Sequence, residues 1–343
     1  MVCRDAQKTL DFYRDLLGIP IVKQTVNFDD PDTYHLYFGH ESGAPGTIVT
    51  FFEWPHAPRG QFGVGGMHHL ALSVETVEAQ LMWKRWLNDG GVQTTGPYDR
   101  GWFSSLYFRD PDGQILEIAT AGPGYALDEP AHALGERAVA PSVERTHGHR
   151  DETAIAALTH PEPLETVTRA MTLTGIHHIS GITDDLERAD EFYSEALGLR
   201  LVKRTINLDD RSMRHHFWAS YDGQVVAARS SLSFFEWPDD QRTAQGGYGQ
   251  THHIAFRVST DEQQLAWRDH LKSLGISVTP VQDRTYFRSI YFRAPDGLLL
   301  EIATDGPGFT ADEDAAALGL EIQLPPWLED RRAEITTQLT PLR

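Results

Sequence analysis

A single cysteine, Cys3, excludes any disulfide within the chain as a source of stability, so a reducing cytoplasm is the expected setting. Lysine is almost as scarce, limited to Lys8, Lys23, Lys84, Lys203 and Lys272. Basic residues are outnumbered by acidic ones, 30 to 49, which gives a formal charge of −19. That balance argues against nucleic acid and against an anionic membrane as partners, since both repel an acidic surface. No apolar run approaches the roughly 20 residues of a membrane-spanning helix. No basic-then-apolar leader opens the chain, so no secretory signal is expected. What remains is a 343-residue globular composition with 40% hydrophobic residues, long enough for two domains. Assembly into a homo-oligomer is left open.

The chain repeats itself, and that organises everything else. Phe12 to Asp30 reads FYRDLLGIPIVKQTVNFDD, and Phe192 to Asp210 reads FYSEALGLRLVKRTINLDD. FFEWP at Phe51–Pro55 returns at Phe234–Pro238. Asp99 to Gly124, DRGWFSSLYFRDPDGQILEIATAGPG, returns as DRTYFRSIYFRAPDGLLLEIATDGPG at Asp283 to Gly308. Each half divides again into a strand, a helix and three strands. In the last quarter, His252–Val258 alternates as a strand. Thr260 and Gln263 resemble a capping box, and Leu265, Trp267, Leu271 and Leu274 mark a helix that Gly275 stops. Ser277–Val281, Ser289–Arg293 and Leu298–Thr304 complete the βαβββ order, with a tight turn at Ala294–Gly297. A helix over Leu186–Leu197, stopped at Gly198, is expected in the third quarter.

Four modules follow: 1–56, 64–124, 175–240 and 248–309, with a connector over 125–174 and a tail over 310–343. Aligning Tyr13 with Tyr193 places the counterpart of His177-His178 ahead of Met1. The first strand of the first module is therefore read as truncated.

Three modules open on a histidine pair: His68-His69, His177-His178 and His252-His253. Neighbouring strand residues face opposite sides. His68 and His252 share a side with apolar residues that pack on a helix, so the second histidine of each pair should face the polar, concave side. A lone strand histidine is usually a packed one; three at the head of three repeats are not readily explained that way. Glu117 sits in ILEIA and Glu301 in LLEIA, where a carboxylate is costly unless a cation or strong donors hold it. Two imidazoles and one carboxylate make the facial set of non-haem Fe(II), with positions left open; Mn(II) or zinc would also fit such a set. Arg100 and Tyr107, repeated as Arg284 and Tyr291, could hold an oxyanion and donate a proton. Thr50 and Ser233 occupy the place of Glu117 in the first and third modules, so those modules supply no carboxylate.

Four βαβββ modules with HH at their starts and LEIAT at their ends resemble the vicinal oxygen chelate superfamily. LVKRTINLDD, TIVTFFEWP and LYFRDPDG look like its hydroquinone-type ring-cleaving dioxygenases. The resemblance implies an α+β fold in which the modules form two open mixed-sheet barrels. It also implies a metal-dependent enzyme that opens a dihydroxylated aromatic ring, hydroquinone or catechol, with O2. Modules one and four, and two and three, would pair, which gathers His69, Glu117 and His178 into one metal site. His253 and Glu301 would form part of another. Consecutive pairing would instead gather His178, His253 and Glu301. Arg100, Tyr107, Arg284 and Tyr291 would steady developing charge, and His68 or His252 would serve as acid–base. A glyoxalase-like isomerase on the same scaffold, and a metal-free ligand-binding or resistance protein, are the alternatives.

Overall fold

A computed structural model describes residues 1–237 and 242–343; Pro238–Asp240, at the end of the third module, lie outside the described residues. The strands are β1 (Val2–Cys3), β2 (Ile21–Asn27), β3 (Asp30–Phe38) and β4 (Val49–Glu53), then β5 (Met67–Val74), β6 (Thr95–Asp99), β7 (Ser104–Arg109) and β8 (Ile115–Thr120). The second half supplies β9 (Ile176–Thr183), β10 (Arg200–Ile206), β11 (Arg214–Ala219) and β12 (Ser231–Glu236), then β13 (Ile254–Val258), β14 (Gln282–Asp283), β15 (Arg288–Arg293) and β16 (Leu299–Thr304). Each set of four belongs to one βαβββ module, and within each the first strand pairs in parallel with the last. The fold is α+β with mixed sheets.

The modules group into two units, residues 1–61 with 245–343, and residues 62–244. In the second unit β5 and β9 pair antiparallel, which joins modules two and three into one eight-stranded sheet, β10-β11-β12-β9-β5-β8-β7-β6. In the first unit the sheets are β1-β4-β3-β2 and β13-β16-β15-β14. The consecutive pairing, in which modules three and four would share a unit, is not the one adopted.

The two kinds of module differ in their helices. In the second and fourth, Thr76 caps Val77–Asp89 and Thr260 caps Asp261–Ser273, each side chain accepting from a backbone N–H three residues on. Gln80 and Gln264 are buried in these helices and donate to carbonyls of two adjacent strands. In the first and third modules the helix starts as an α-turn and widens into a π-helix, over Asp11–Leu16 and Glu191–Ala196. The expected helix over Leu186–Leu197 is therefore half π. Adjacent aromatics account for it: Phe12 with Tyr13, and Phe192 with Tyr193, are all buried, and the wider turn lets both members of each pair face the core.

Two readings of the sequence need correcting. Ser277–Val281 is not a strand, and pairing begins only at Gln282. Pro280 has no N–H to give a ladder, so the segment meets β15 through Thr279 alone, whose N–H donates to the Tyr291 carbonyl at 3.0 Å. The repeat also runs past Gly124. Tyr125, Asp128, Glu129 and Gly135 match Phe309, Asp312, Glu313 and Gly319, so the start of the connector and of the tail is one repeated strap. Each strap is pinned by a fully buried lysine. Lys203 on β10 binds Asp128 and, at 2.7 Å, Glu129; Lys23 on β2 binds Asp312 at 2.5 Å and Glu313. The rest of the connector also packs into its unit: Lys84 holds the carbonyls of Ile155 and Ala156, and the Trp83 indole donates to Met171.

The turn before β15 carries strain. The DRG turn before β7 places Gly101 at φ 93°, whereas in the DRT repeat Thr285 is held at φ 67°. A β-branched residue there costs about 1–2 kcal/mol, and the Thr285 hydroxyl is buried without a partner. Thr285→Gly should therefore raise stability by about 1 kcal/mol, read as a higher urea midpoint; a lower midpoint would contradict this account.

Candidate metal centre

Strand register assembles the centre in the second unit. Ala71 on β5 lies opposite Glu117 on β8 and opposite His178 on β9, and Glu117 lies opposite Tyr107 on β7. His178, Ala71, Glu117 and Tyr107 thus form one row across four strands. His69, two residues before Ala71, projects from the same face. Ala71 is fully buried, and its small side chain leaves room for the carboxylate and the imidazole on either side.

The three side chains meet. His69 Nε2 and His178 Nε2 are 3.2 Å apart, and Glu117 Oε2 lies 2.9 Å from the first and 3.6 Å from the second. All three residues are at most 2% exposed. Among the described residues this is the one group of three or more potential ligands gathered tightly enough to share an ion. Neither Glu117 oxygen accepts a well-directed hydrogen bond, despite the short contact with His69. Lone pairs that converge without a hydrogen between them call for a cation.

The spacing fits one. Ligand atoms about 2.1 Å from a shared ion, at right angles to one another, are about 3 Å apart. Burial alone would push the Glu117 carboxyl up, but His178, His69 and Arg100 override it and hold it well below the usual carboxylate range. Burial pushes His178 well down, so its imidazole is neutral. An ionised carboxylate and imidazoles that offer a lone pair are the forms that ligate.

The first histidine of each pair turns out to address the second. His68 Nδ1 is 2.8 Å from His69 Nδ1, and His177 Nδ1 is 2.8 Å from His178 Nδ1. One nitrogen in each contact must carry the hydrogen. With it on the ligand's Nδ1, the Nε2 lone pair faces the centre, as a metal requires. Burial also pushes His68 down to about 3. Strand alternation alone points His68 away from the site; a local shift in the β5–β9 register between Met67 and His69 accompanies the side-by-side arrangement.

Around the ligands, Arg100 is buried and donates through Nε to Ser105 at 2.8 Å and through Nη2 to the Tyr107 hydroxyl. Because that hydroxyl accepts from Arg100, its own hydrogen is directed elsewhere. Burial raises the Tyr107 pKa, so the phenol keeps its proton near neutral pH. Phe103 and Phe217 lie 5.5 and 5.9 Å from the His178 ring, and Phe235 lies 6.1 Å from that of His69. Sequence reasoning missed these rings, and it missed Ser180 and His215. His215 does carry a signal, since it matches the equally buried His35 at the repeat offset.

The first unit holds the repeat of the site in a different state. His253 Nε2 is 2.7 Å from Glu301 Oε2, and His252 Nδ1 is 2.8 Å from His253 Nδ1. Glu301 also accepts from Ser289 and, at 3.2 Å, from Tyr291, whose hydroxyl receives Arg284 Nε at 3.2 Å. Its carboxylate is thus held by protein donors, and no third ligand from the described residues joins His253 and Glu301.

The sequence model described as Glyoxalase/Bleomycin resistance protein/Dioxygenase superfamily matches residues 1–118 and 175–302. MhqA of Bacillus subtilis, provisionally named a ring-cleaving dioxygenase, is 34% identical, with 99% of this chain and 96% of that protein aligned. A chlorohydroquinone/hydroquinone 1,2-dioxygenase of Sphingobium indicum is 28% identical over 96% of this chain and 91% of its own length. The crystal structure of a provisionally assigned dioxygenase from Bacillus subtilis superposes with a TM-score of 0.78 at 32% identity, covering 100% of this chain and 95% of that one. Glyoxalase I from Zea mays, at 16% identity and a TM-score of 0.56 over 89% of this chain and 90% of its own, shares the fold.

Proposed function

Since this chain belongs to the Glyoxalase/Bleomycin resistance protein/Dioxygenase superfamily, we propose that it is a non-haem Fe(II) dioxygenase that opens the ring of a hydroquinone or catechol with O2. The observation that carries this reading is the convergence of His69, Glu117 and His178 on one buried point. Two imidazoles and one carboxylate leave coordination positions for a substrate oxygen and for O2, and iron bound there would supply Lewis acidity and electrons to O2. Mn(II) would suit the same donors. The names borne by the Bacillus and Sphingobium relatives support an aromatic diol as substrate.

The chain's own residues then have defined tasks. Phe103, Phe217 and Phe235 give an aromatic ring apolar edges and faces to lie against. Arg100 supplies positive charge toward a deprotonated hydroxyl, locally offsetting the acidic surface of the protein. Tyr107, its oxygen engaged by Arg100, holds a proton to donate to charge that builds during ring opening. His68 and His177 set the tautomer of the ligand histidines; at a pKa of about 3, His68 is poorly placed as an acid–base near neutrality. Ser233 at the counterpart of Glu117 brings no second carboxylate to this group of ligands, which disfavours the glyoxalase-like isomerase.

Tyr107→Phe should lower turnover about 10²-fold with metal content retained. Unchanged turnover would remove the tyrosine from proton transfer. The function itself is tested with Fe(II)-reconstituted protein, an oxygen electrode and a panel of catechols and hydroquinones. Oxygen consumption together with loss of the aromatic absorbance is expected. Inertness toward the whole panel, with isomerisation of a thiol adduct instead, would favour the glyoxalase-like reaction.

A further inference from the structure

A chain of hydrogen bonds runs from the metal ligands to a buried histidine that the ring-opening scheme does not use. Ser180 Oγ is 2.9 Å from His69 Nε2 and 2.6 Å from Ser233 Oγ, and Ser233 Oγ is 2.9 Å from His215 Nε2. The register explains the line-up: Ser180 on β9 lies opposite both His69 on β5 and Ser233 on β12. His215 is 3% exposed and stacks on Phe235, with centroids 3.9 Å apart. Burial keeps its imidazole neutral, so it carries one ring hydrogen.

The direction of the chain can be worked out from its end. A ligating His69 needs its hydrogen on Nδ1, donated to His68, and its lone pair on Nε2. Ser180 can then only donate toward that nitrogen. The Ser180 oxygen in turn accepts from Ser233, and Ser233 accepts from His215 Nε2–H. The repeat supports this tautomer. His35 Nε2 is 2.7 Å from Thr50 Oγ1, the counterpart of Ser233, and its Nδ1 is 3.1 Å from the Tyr37 hydroxyl, which can donate to it. A metal that takes the His69 lone pair removes the acceptor and leaves the Ser180 hydrogen free for an anionic oxygen that binds beside that histidine.

We propose that Ser180 donates a hydrogen bond to an anionic oxygen bound beside His69, a phenolate or catecholate, and that Ser233 and His215 are the positioning residues that hold Ser180 as a donor. The ligand class rests on the dioxygenase reading; the donor direction rests on the geometry. No proton is transferred along the chain, and no charge forms on His215.

The test is a spectral titration of Mn(II)-loaded protein with 4-nitrocatechol, alongside imidazole, which binds a metal through nitrogen and offers no oxyanion. Ser233→Ala should weaken nitrocatechol about tenfold, the scale of one charge-assisted hydrogen bond, and leave imidazole affinity and metal content unchanged. His215→Phe should match it. His215→Gln, which restores an N–H donor, should stay within about threefold of the natural protein. Equal weakening of imidazole, an unaffected Ser233→Ala, or a His215→Gln no better than His215→Phe would overturn the proposal. A natural protein that binds imidazole but not nitrocatechol would overturn it as well. Binding that follows this pattern in a protein that opens no ring would uphold the donor and overturn the dioxygenase reading.

Discussion

Glu117→Gln is expected to strip the centre of its metal while leaving the fold intact. Glutamine keeps the shape of the side chain but removes the one negative charge that faces the two imidazoles at 2.9 and 3.6 Å. Loss of a residue that merely orients a ligand costs about 10- to 100-fold in metal affinity, so loss of the only anionic ligand should cost at least about 100-fold. Metal analysis after dialysis reads this directly, with His178→Ala expected to behave alike. Glu301→Gln is the control. Its carboxylate is already engaged by Ser289, Tyr291 and His253, so metal content should not change. A Glu117→Gln protein that keeps its full metal complement would place the metal elsewhere.

The second large effect is on stability. Lys203 is completely buried between Asp128 and Glu129, and Glu129 is itself fully buried. Lys203→Met leaves two carboxylates facing a hydrophobic side chain and releases the strap over 125–135. Breaking a buried ion pair from one side costs about 3–5 kcal/mol. The urea midpoint should fall accordingly. Replacing Asp128 and Glu129 by Asn and Gln in the same protein should recover most of the loss, because the uncompensated charges are then gone. A loss below about 1 kcal/mol would mean that the strap is held by its apolar contacts, such as Tyr125 against Phe217.

What the sequence made legible was whatever the repeat duplicates. The βαβββ order, the histidine pairs and the glutamate in LEIAT all stand out because a second copy shows which positions matter. Periodicity then placed His69 on the concave side of its strand, and the cost of a carboxylate in an apolar strand singled out Glu117. It could not decide which modules share a sheet. That depends on the β5–β9 pairing, a long-range contact between strands 109 residues apart at their histidines, with no local signature. Alternation also misdirected His68, because it assumes a regular ladder and the β5–β9 register shifts just there. The straps are less conspicuous because YALDEPAHALGE and FTADEDAAALGL agree at only six of twelve positions, the acidic pair, two alanines, a leucine and a glycine, and the buried lysines reveal why the acidic pair recurs. His215 is inconspicuous for a related reason: in the sequence its partner Ser233 stands out only as a missing carboxylate, whereas in the fold it links that histidine to the ligands.

Oxygen is expected to be consumed at the centre formed by His69, Glu117 and His178. Oxygen uptake during hydroquinone turnover, measured on Fe(II)-reconstituted natural protein beside Glu117→Gln and Glu301→Gln, tests it most directly. The expected result is uptake equimolar with ring opening in the natural protein and in Glu301→Gln, and none in Glu117→Gln. Uptake that survives Glu117→Gln, or that disappears with Glu301→Gln instead, would contradict it.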